Sequence, residues 1–254
     1  MNRLAALLGL LVVVGCGAGE TISGPTPVST PVEQFPAWRM DRTDAVNWLV
    51  GHQPEGTAVW GGHMMAAVLE GNANSGRIVF VKIPGVNYEV LEYDAAFIYH
   101  REDHGGRWNG GATWGLAEPH AAYSWRNVDG TKTVWMPRRV TPGFYYANEA
   151  SKYHYGLGDC RIDRVFRSNL YAHVVGVEKV DVGGQVGITE ALHTFFEHPK
   201  DSRKPGFDTS EHYWYSWEYG WVKWNDAASY SVFNAPRPAT VTYEEPCIDT
   251  EHGK

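Results

Sequence analysis

His212–Trp224 reads HYWYSWEYGWVKW, and the way this stretch is taken decides the fold. Successive side chains of a β-strand point to opposite faces. Tyr213, Tyr215, Trp217, Tyr219 and Trp221 therefore form one aromatic face, and His212, Trp214, Ser216, Glu218, Gly220, Val222 and Trp224 the other. No other segment commits so many large rings. The odd-numbered face is expected to be core, and a break near Glu218–Gly220 is expected to fold the stretch into a two-stranded hairpin.

Outward from this stretch the pattern stays β. Val165–Val182 carries Val174, Val175, Val177, Val180 and Val182, Gly183-Gly184 turns the chain, and Val186–Phe196 alternates like a half-buried strand. His198–Thr209 reads as a charged loop and Ala239–Tyr243 as a last strand. Upstream, Ile78–Ile83, Tyr88–Glu92 and Ala96–Glu102 read as strands, with a turn at Pro84-Gly85. Ala122–Trp125 and Thr131–Met136 flank Asp129-Gly130, the best two-residue hairpin signal in the chain. Thr57–Gly71 is helix or strand by pattern, and its punctuating glycines favour strand. Asp41–Gly51 offers Asp or Thr as an N-cap before Ala45, Val46, Trp48 and Leu49, predicting a short helix. Many short strands with frequent turns predict a mostly β chain: an antiparallel sandwich or a curved, partly open barrel with one or two short N-terminal helices.

The first residues address the chain. Met1-Asn2-Arg3 is a short positive segment and Leu4–Val14 an apolar run, long enough for a secretory signal and too short to span a bilayer. The run ends in Val13-Val14-Gly15-Cys16, which resembles the lipobox of bacterial lipoproteins. The resemblance implies a signal peptide over residues 1–15, a lipidated Cys16 as the new N-terminus, and a membrane anchor in the bacterial cell envelope facing periplasm or exterior. Residues 17–33 are rich in Gly, Pro, Ser and Thr and have too little apolar mass to offset the entropy of ordering. They read as a flexible tether, leaving residues 34–254 as a single β-rich domain.

Charge and cysteines narrow the partners. The formal net charge of the 254 residues is −7, and it becomes more negative when Arg3 leaves with the signal. That balance, without a Lys/Arg block, argues against nucleic acid. With Cys16 acylated, Cys160 and Cys247 remain as a disulfide pair, as two buried thiols, or as separate reactive ones. In the chain-entropy model the disulfide would stabilise by roughly 4–5 kcal/mol.

Three constellations could carry chemistry. His100, Glu102 and His104 share a face if Ala96–Glu102 continues as a regular strand. Two imidazoles and a carboxylate suit a divalent metal, though charged strand ends are more often solvated. Glu102, Asp103, Glu190 and Glu218 are candidates for the paired carboxylates of a glycoside hydrolase or lyase, without a compact motif to pair them. Trp108 and Trp114 sit in a Gly-rich loop where core packing does not need them. With Trp135, Arg138, Arg139 and Glu102 they sketch an aromatic groove for a carbohydrate or apolar ligand. The leading expectation is a non-catalytic, lipid-anchored binding domain with no cofactor. A carbohydrate-active enzyme and a structural envelope lipoprotein are the competing readings.

Overall fold

Asp44 is an N-cap: its carboxylate accepts from Val46 N at 3.0 Å, ahead of the six-residue helix α1 (Ala45–Val50). A 3-10 turn, Ala37–Met40, precedes it. The computed structural model describes residues 37–52, 55–60, 63–83, 87–105, 121–156, 162–167, 169–182, 187–197, 210–224 and 231–236. The strands are β1 (Glu55–Trp60), β2 (His63–Gly71), β3 (Gly76–Ile83), β4 (Asn87–Tyr93), β5 (Phe97–Gly105), β6 (Ala121–Asn127), β7 (Thr133–Pro137) and β8 (Tyr145–Asn148). They continue as β9 (Ala150–Gly156), β10 (Ile162–Arg167), β11 (Leu170–Asp181), β12 (Ile188–Glu197), β13 (Ser210–Ser216), β14 (Gly220–Trp224) and β15 (Ser231–Pro236).

Two antiparallel sheets result. One is ten-stranded, in the order β10-β9-β6-β5-β4-β3-β2-β1-β15, with β7 as a second neighbour of β5; the other is five-stranded, β14-β13-β12-β11-β8. The mostly β architecture expected from the sequence forms, as two antiparallel sheets in a sandwich or open curved arrangement, with one short α-helix among the described residues. Thr57–Gly71 resolves as strand. β9 and β15 fall where the sequence offered no clear pattern, and Ala239–Tyr243 lies outside the described residues.

The expected hairpin around Asp129-Gly130 keeps its turn and loses its ladder. Asp129 accepts from Thr131 N at 3.0 Å, Asn127 Nδ2 donates to Thr131 Oγ1 and Lys132 O, and Gly130 holds φ 83°. Beyond one bridge, Arg126↔Lys132, the two strands part. β7 pairs with the first half of β5 (Phe97↔Pro137 to His100↔Thr133), and β6 pairs with the second half (Glu102↔Ser124 to Gly105↔Ala121). β5 forks the sheet. From β7 the hydrogen bonding passes to the other sheet through one side chain: the Asn148 amide accepts from Val134 N at 2.8 Å and donates to Val134 O at 2.9 Å.

The core between the sheets is ring-rich, as the opening stretch implied. Tyr213 and Tyr215 of β13 and Trp221 of β14 are buried against Phe80, Trp135 and Phe196. Trp135 meets Phe196 at 4.4 Å and Tyr213 at 5.0 Å edge-on, and Trp221 meets Phe80 at 5.4 Å, the T-shaped contacts that ring quadrupoles favour. Each such ring contributes about 1.5–3 kcal/mol by leaving water. The strict alternation ends at residues 217–219, which turn. Trp217 stacks on His52 at 4.0 Å and meets Trp48 of α1 at 5.3 Å, while Tyr219 packs against a second cluster of Val180, Val182, Ala191, Trp214 and Val222. The turn also holds the helix exit. His52 N donates to Glu218 O at 2.8 Å, and Gly51 lies against Gly220.

Candidate functional site

Of the residues expected to form a groove, those the structure describes are committed to the fold or lie apart. Trp108 and Trp114 lie outside the described residues, as do Cys16, Cys160 and Cys247. Trp135 is 1% exposed inside the core, so it is not a surface ring. Arg138 is committed to the fold: its guanidinium grips Asp44 and donates to the backbone oxygens of Asp94 and Ala73. Arg139 is exposed, and its charge helps hold the Asp41 carboxyl low, after the hydrogen bonds from Thr43 that dominate there.

The metal constellation fails on register. Leu91 pairs with His100 while Val90 pairs with Glu102, so Arg101 is an extra residue in β5. A one-residue bulge shifts every later side chain to the other face. His100 turns inward, stacked on Trp125 at 4.0 Å and edge-on to Trp135 at 4.8 Å. Glu102, fully buried, goes the other way with Val90, and Arg101 reaches Glu92. The His104 side chain lies outside the described set. Among the described residues no group of three or more His, Cys, Asp or Glu is arranged to hold a metal.

The outer face of the five-stranded sheet carries a different assembly. One row crosses four strands in register: Tyr145 (β8), His173 (β11), Phe195 (β12) and His212 (β13). The next row is Gly176, His193, Trp214 and Lys223. At the usual strand spacing each row is about 14 Å long. The rings stack on each other like coins: His173 on Phe195 at 4.2 Å and 6°, Phe195 on His212 at 4.9 Å, His193 on Trp214 at 4.3 Å. Their faces are therefore occupied by one another; His193 and Trp214 are buried, and His173, Phe195 and His212 are half-buried. Tyr145 differs: it is 53% exposed and tilted by 56° to His173, so its ring face is not covered by that stack.

Carboxylates flank the rows. Glu197 Oε2 lies 3.3 Å from His173 Nε2. Glu178 Oε1 accepts from Trp214 Nε1 at 2.8 Å and lies 2.9 Å from His193 Nδ1, where the ring N–H aims off the oxygen. His193 Nε2 faces His212 Nδ1 at 2.8 Å. A carboxylate beside Nδ1 favours the Nδ1–H tautomer of His193, so the proton between the two rings belongs to His212.

Burial holds the His193 pKa below its ordinary value; Glu178 opposes the shift, and His212 and Lys223 reinforce it. The unfolded chain then binds more protons than the folded one between the folded pKa and 6.5. Stability from this group is complete above that window and falls as pH drops through it. The urea midpoint should decrease from neutral pH to about pH 5, and His193→Gln should flatten that slope; an unchanged slope in the variant would remove His193 as the cause.

The sequence reading placed His212 and Trp214 on one face but did not single out His173, Phe195 or His193. Their common signal, a histidine or ring at alternate positions of two strands, has meaning only once register is known. Fold and face define an antiparallel β-sandwich with a histidine–aromatic outer surface. Comparison of the chain with protein-family models, with curated proteins and with solved structures gives no match in any of the three.

Proposed function

We propose that the protein is an exported, lipid-anchored domain of the bacterial cell envelope that binds a glycan without transforming it. The signal-like first residues, Cys16 and the tether support the location. The observation that carries binding is the Tyr145 end of the outer row. An exposed ring face stands beside an imidazole–carboxylate pair, His173 and Glu197, with Tyr171 at 6.1 Å from Tyr145. A sugar presents a C–H face to stack on a tyrosine, and its hydroxyls suit imidazole and carboxylate edges. The other rings, face-to-face with one another, serve to hold His173 in place. A hydrolytic role for the carboxylates near His100–His104 draws less support, because Glu102 is buried away from His100.

Glycan-array binding followed by calorimetry on the best ligand tests this. Tyr145→Ala and His173→Ala should each weaken binding roughly tenfold or more, as truncation of an interface anchor does, while Met40→Ala should bind as the parent does. A panel with no glycan bound, or equal affinity in all variants, would count against the reading.

A further inference from the structure

At the Tyr145 end of the outer face a carboxylate stands among rings with no basic side chain in its rows. Tyr171 of β11 pairs in register with Ala147 of β8 and Glu197 of β12, one row away from Tyr145, His173 and Phe195. Among the described residues these two rows contain no lysine or arginine. We propose that this site selects a positively charged amino sugar, its ammonium group lying over Tyr171 and against Glu197. The inference rests on the glycan reading and adds the charge class of the ligand.

The carboxylate has capacity to spare. The Glu197 side chain is 46% exposed. Its Oε2 lies 3.3 Å from His173 Nε2, and among the described residues that is its one contact, so Oε1 still accepts. Tyr171 stands directly across from it, with its ring centroid 6.1 Å from that of Tyr145. The face of a tyrosine ring attracts a cation, and a carboxylate beside the ring adds a charge partner. His173 lies between Tyr145 and Glu197, its ring 5.0 Å from the Tyr145 ring, and keeps the two apart. β8 and β12 are two strand spacings from each other, about 10 Å. A short glycan laid across β11 therefore stacks one sugar on Tyr145 and brings the amine of the next to Glu197.

Charge separates this class from its neighbours. A uronic acid would set its carboxylate against Glu197. Lys223, in the row beyond His173, belongs to the opposite edge strand, about 19 Å from β8. Its Nζ is also taken up over the Trp214 ring, at 4.6 Å from the centroid. A neutral N-acetylated sugar keeps the stack on Tyr145 and forgoes both the charge pair and the cation–ring contact. The net charge of −7 acts in the same direction at longer range, drawing cations and repelling anions.

Calorimetry at pH 8 with β-1,4-linked tetramers of N-trimethylated glucosamine, N-acetylglucosamine and glucuronic acid tests the selection; the trimethylated sugar carries a charge that no pH removes. It should bind about tenfold more tightly than the acetylated tetramer, with the acid weakest, and added salt should narrow the gap. Glu197→Gln is a substitution at a half-exposed position and should leave the fold intact. It should erase the preference and leave the affinity for the acetylated tetramer unchanged, whereas Tyr145→Ala should weaken both. Tetramethylammonium titrated alone, followed by nuclear magnetic resonance, separates this inference from the glycan reading. Shifts at Tyr171 that vanish in Glu197→Gln uphold the ammonium site even if no glycan binds. Binding of the acetylated tetramer without such shifts upholds the glycan reading and overturns this one. The proposal also fails if the acetylated or acidic tetramer binds as tightly as the trimethylated one, if Glu197→Gln keeps the preference, or if neither tetramers nor tetramethylammonium bind.

Discussion

Gly51→Ala should be among the most damaging single substitutions in the chain, costing roughly 3–5 kcal/mol. Gly51 ends α1 at φ 70°, and a Cβ there would stand 2.3 Å from Gly220 N, 2.6 Å from Tyr219 C and 2.7 Å from Glu218 O. All three are backbone atoms of the turn inside the aromatic stretch, so no side chain can rotate away. Gly220 meets the helix in the same manner, at φ 76° and with its own Cβ position 2.7 Å from Leu49 O. Two glycines let the helix exit and the β13–β14 turn share space that one methyl group would fill. For a domain of this size each kcal/mol moves the melting temperature by about 2–4 °C, so a fall of roughly 10 °C is expected for Gly51→Ala and for Gly220→Ala. Gly130→Ala is the control: φ is 83° there, but nothing lies within 4 Å. It should cost only the backbone term, about 1 kcal/mol. Thermal melts followed by near-ultraviolet circular dichroism compare the three. A Gly51→Ala melting temperature equal to that of Gly130→Ala would show that the contact is not binding the helix to the turn.

That contact explains what was legible in the aromatic stretch and what was not. Alternation alone assigned Tyr213 and Tyr215 to the core, and both are buried there. Alternation did not reveal that Trp217 leaves the ladder to stack on His52, because that depends on where a helix 165 residues upstream ends. The same limit applied to the candidate sites. Sequence spacing put His100 and Glu102 on one face, and one extra residue at Arg101 separated them. A bulge arises from how two strands settle against each other, and residue types within β5 do not announce it. The outer row was hidden for a related reason. His173, Phe195 and His212 are ordinary residues in three different strands, and only pairing makes them neighbours. The Asp129-Gly130 turn was read correctly as local chemistry, while its strands answered to β5.

Arg138 shows the same contrast between local type and position, and its removal should have an effect as large as that of Gly51→Ala. Beside Trp135 and Arg139, an arginine suggested a fork for a ligand's carboxylate. The fork is filled from within. Nε and Nη2 hold the two oxygens of Asp44 at 2.5 and 2.6 Å, Nη1 reaches Asp94 O at 2.9 Å, and Nη2 reaches Ala73 O at 3.0 Å. The guanidinium carbon lies 4.8 Å from the Tyr93 ring centroid. One side chain thus ties the helix cap to the β2–β3 and β4–β5 turns, while its backbone receives Ala45 N at 2.8 Å and donates to Ala96 O at 2.8 Å. Arg138→Met should cost about 3–5 kcal/mol, since it strands a largely buried Asp44 carboxylate and frees two carbonyls. Asp44→Asn keeps an oxygen for the Val46 cap but sets an amide against the guanidinium, and should cost roughly 2–3 kcal/mol. The double variant should be less destabilised than the sum of the two by about 1.5 kcal/mol or more, because each single change leaves a charge that the other would have removed. It should not return to the parent, because Asp94 O and Ala73 O still lack the donor. Arg138→Lys separates charge from geometry: an ammonium restores the ion pair but cannot reach four oxygens from a planar fork, so it should recover only part of the loss. Urea denaturation of the four variants measures all of these terms. Strict additivity of Asp44→Asn and Arg138→Met, or full recovery by lysine, would mean that the guanidinium is not the pin that joins the helix cap to the ten-stranded sheet.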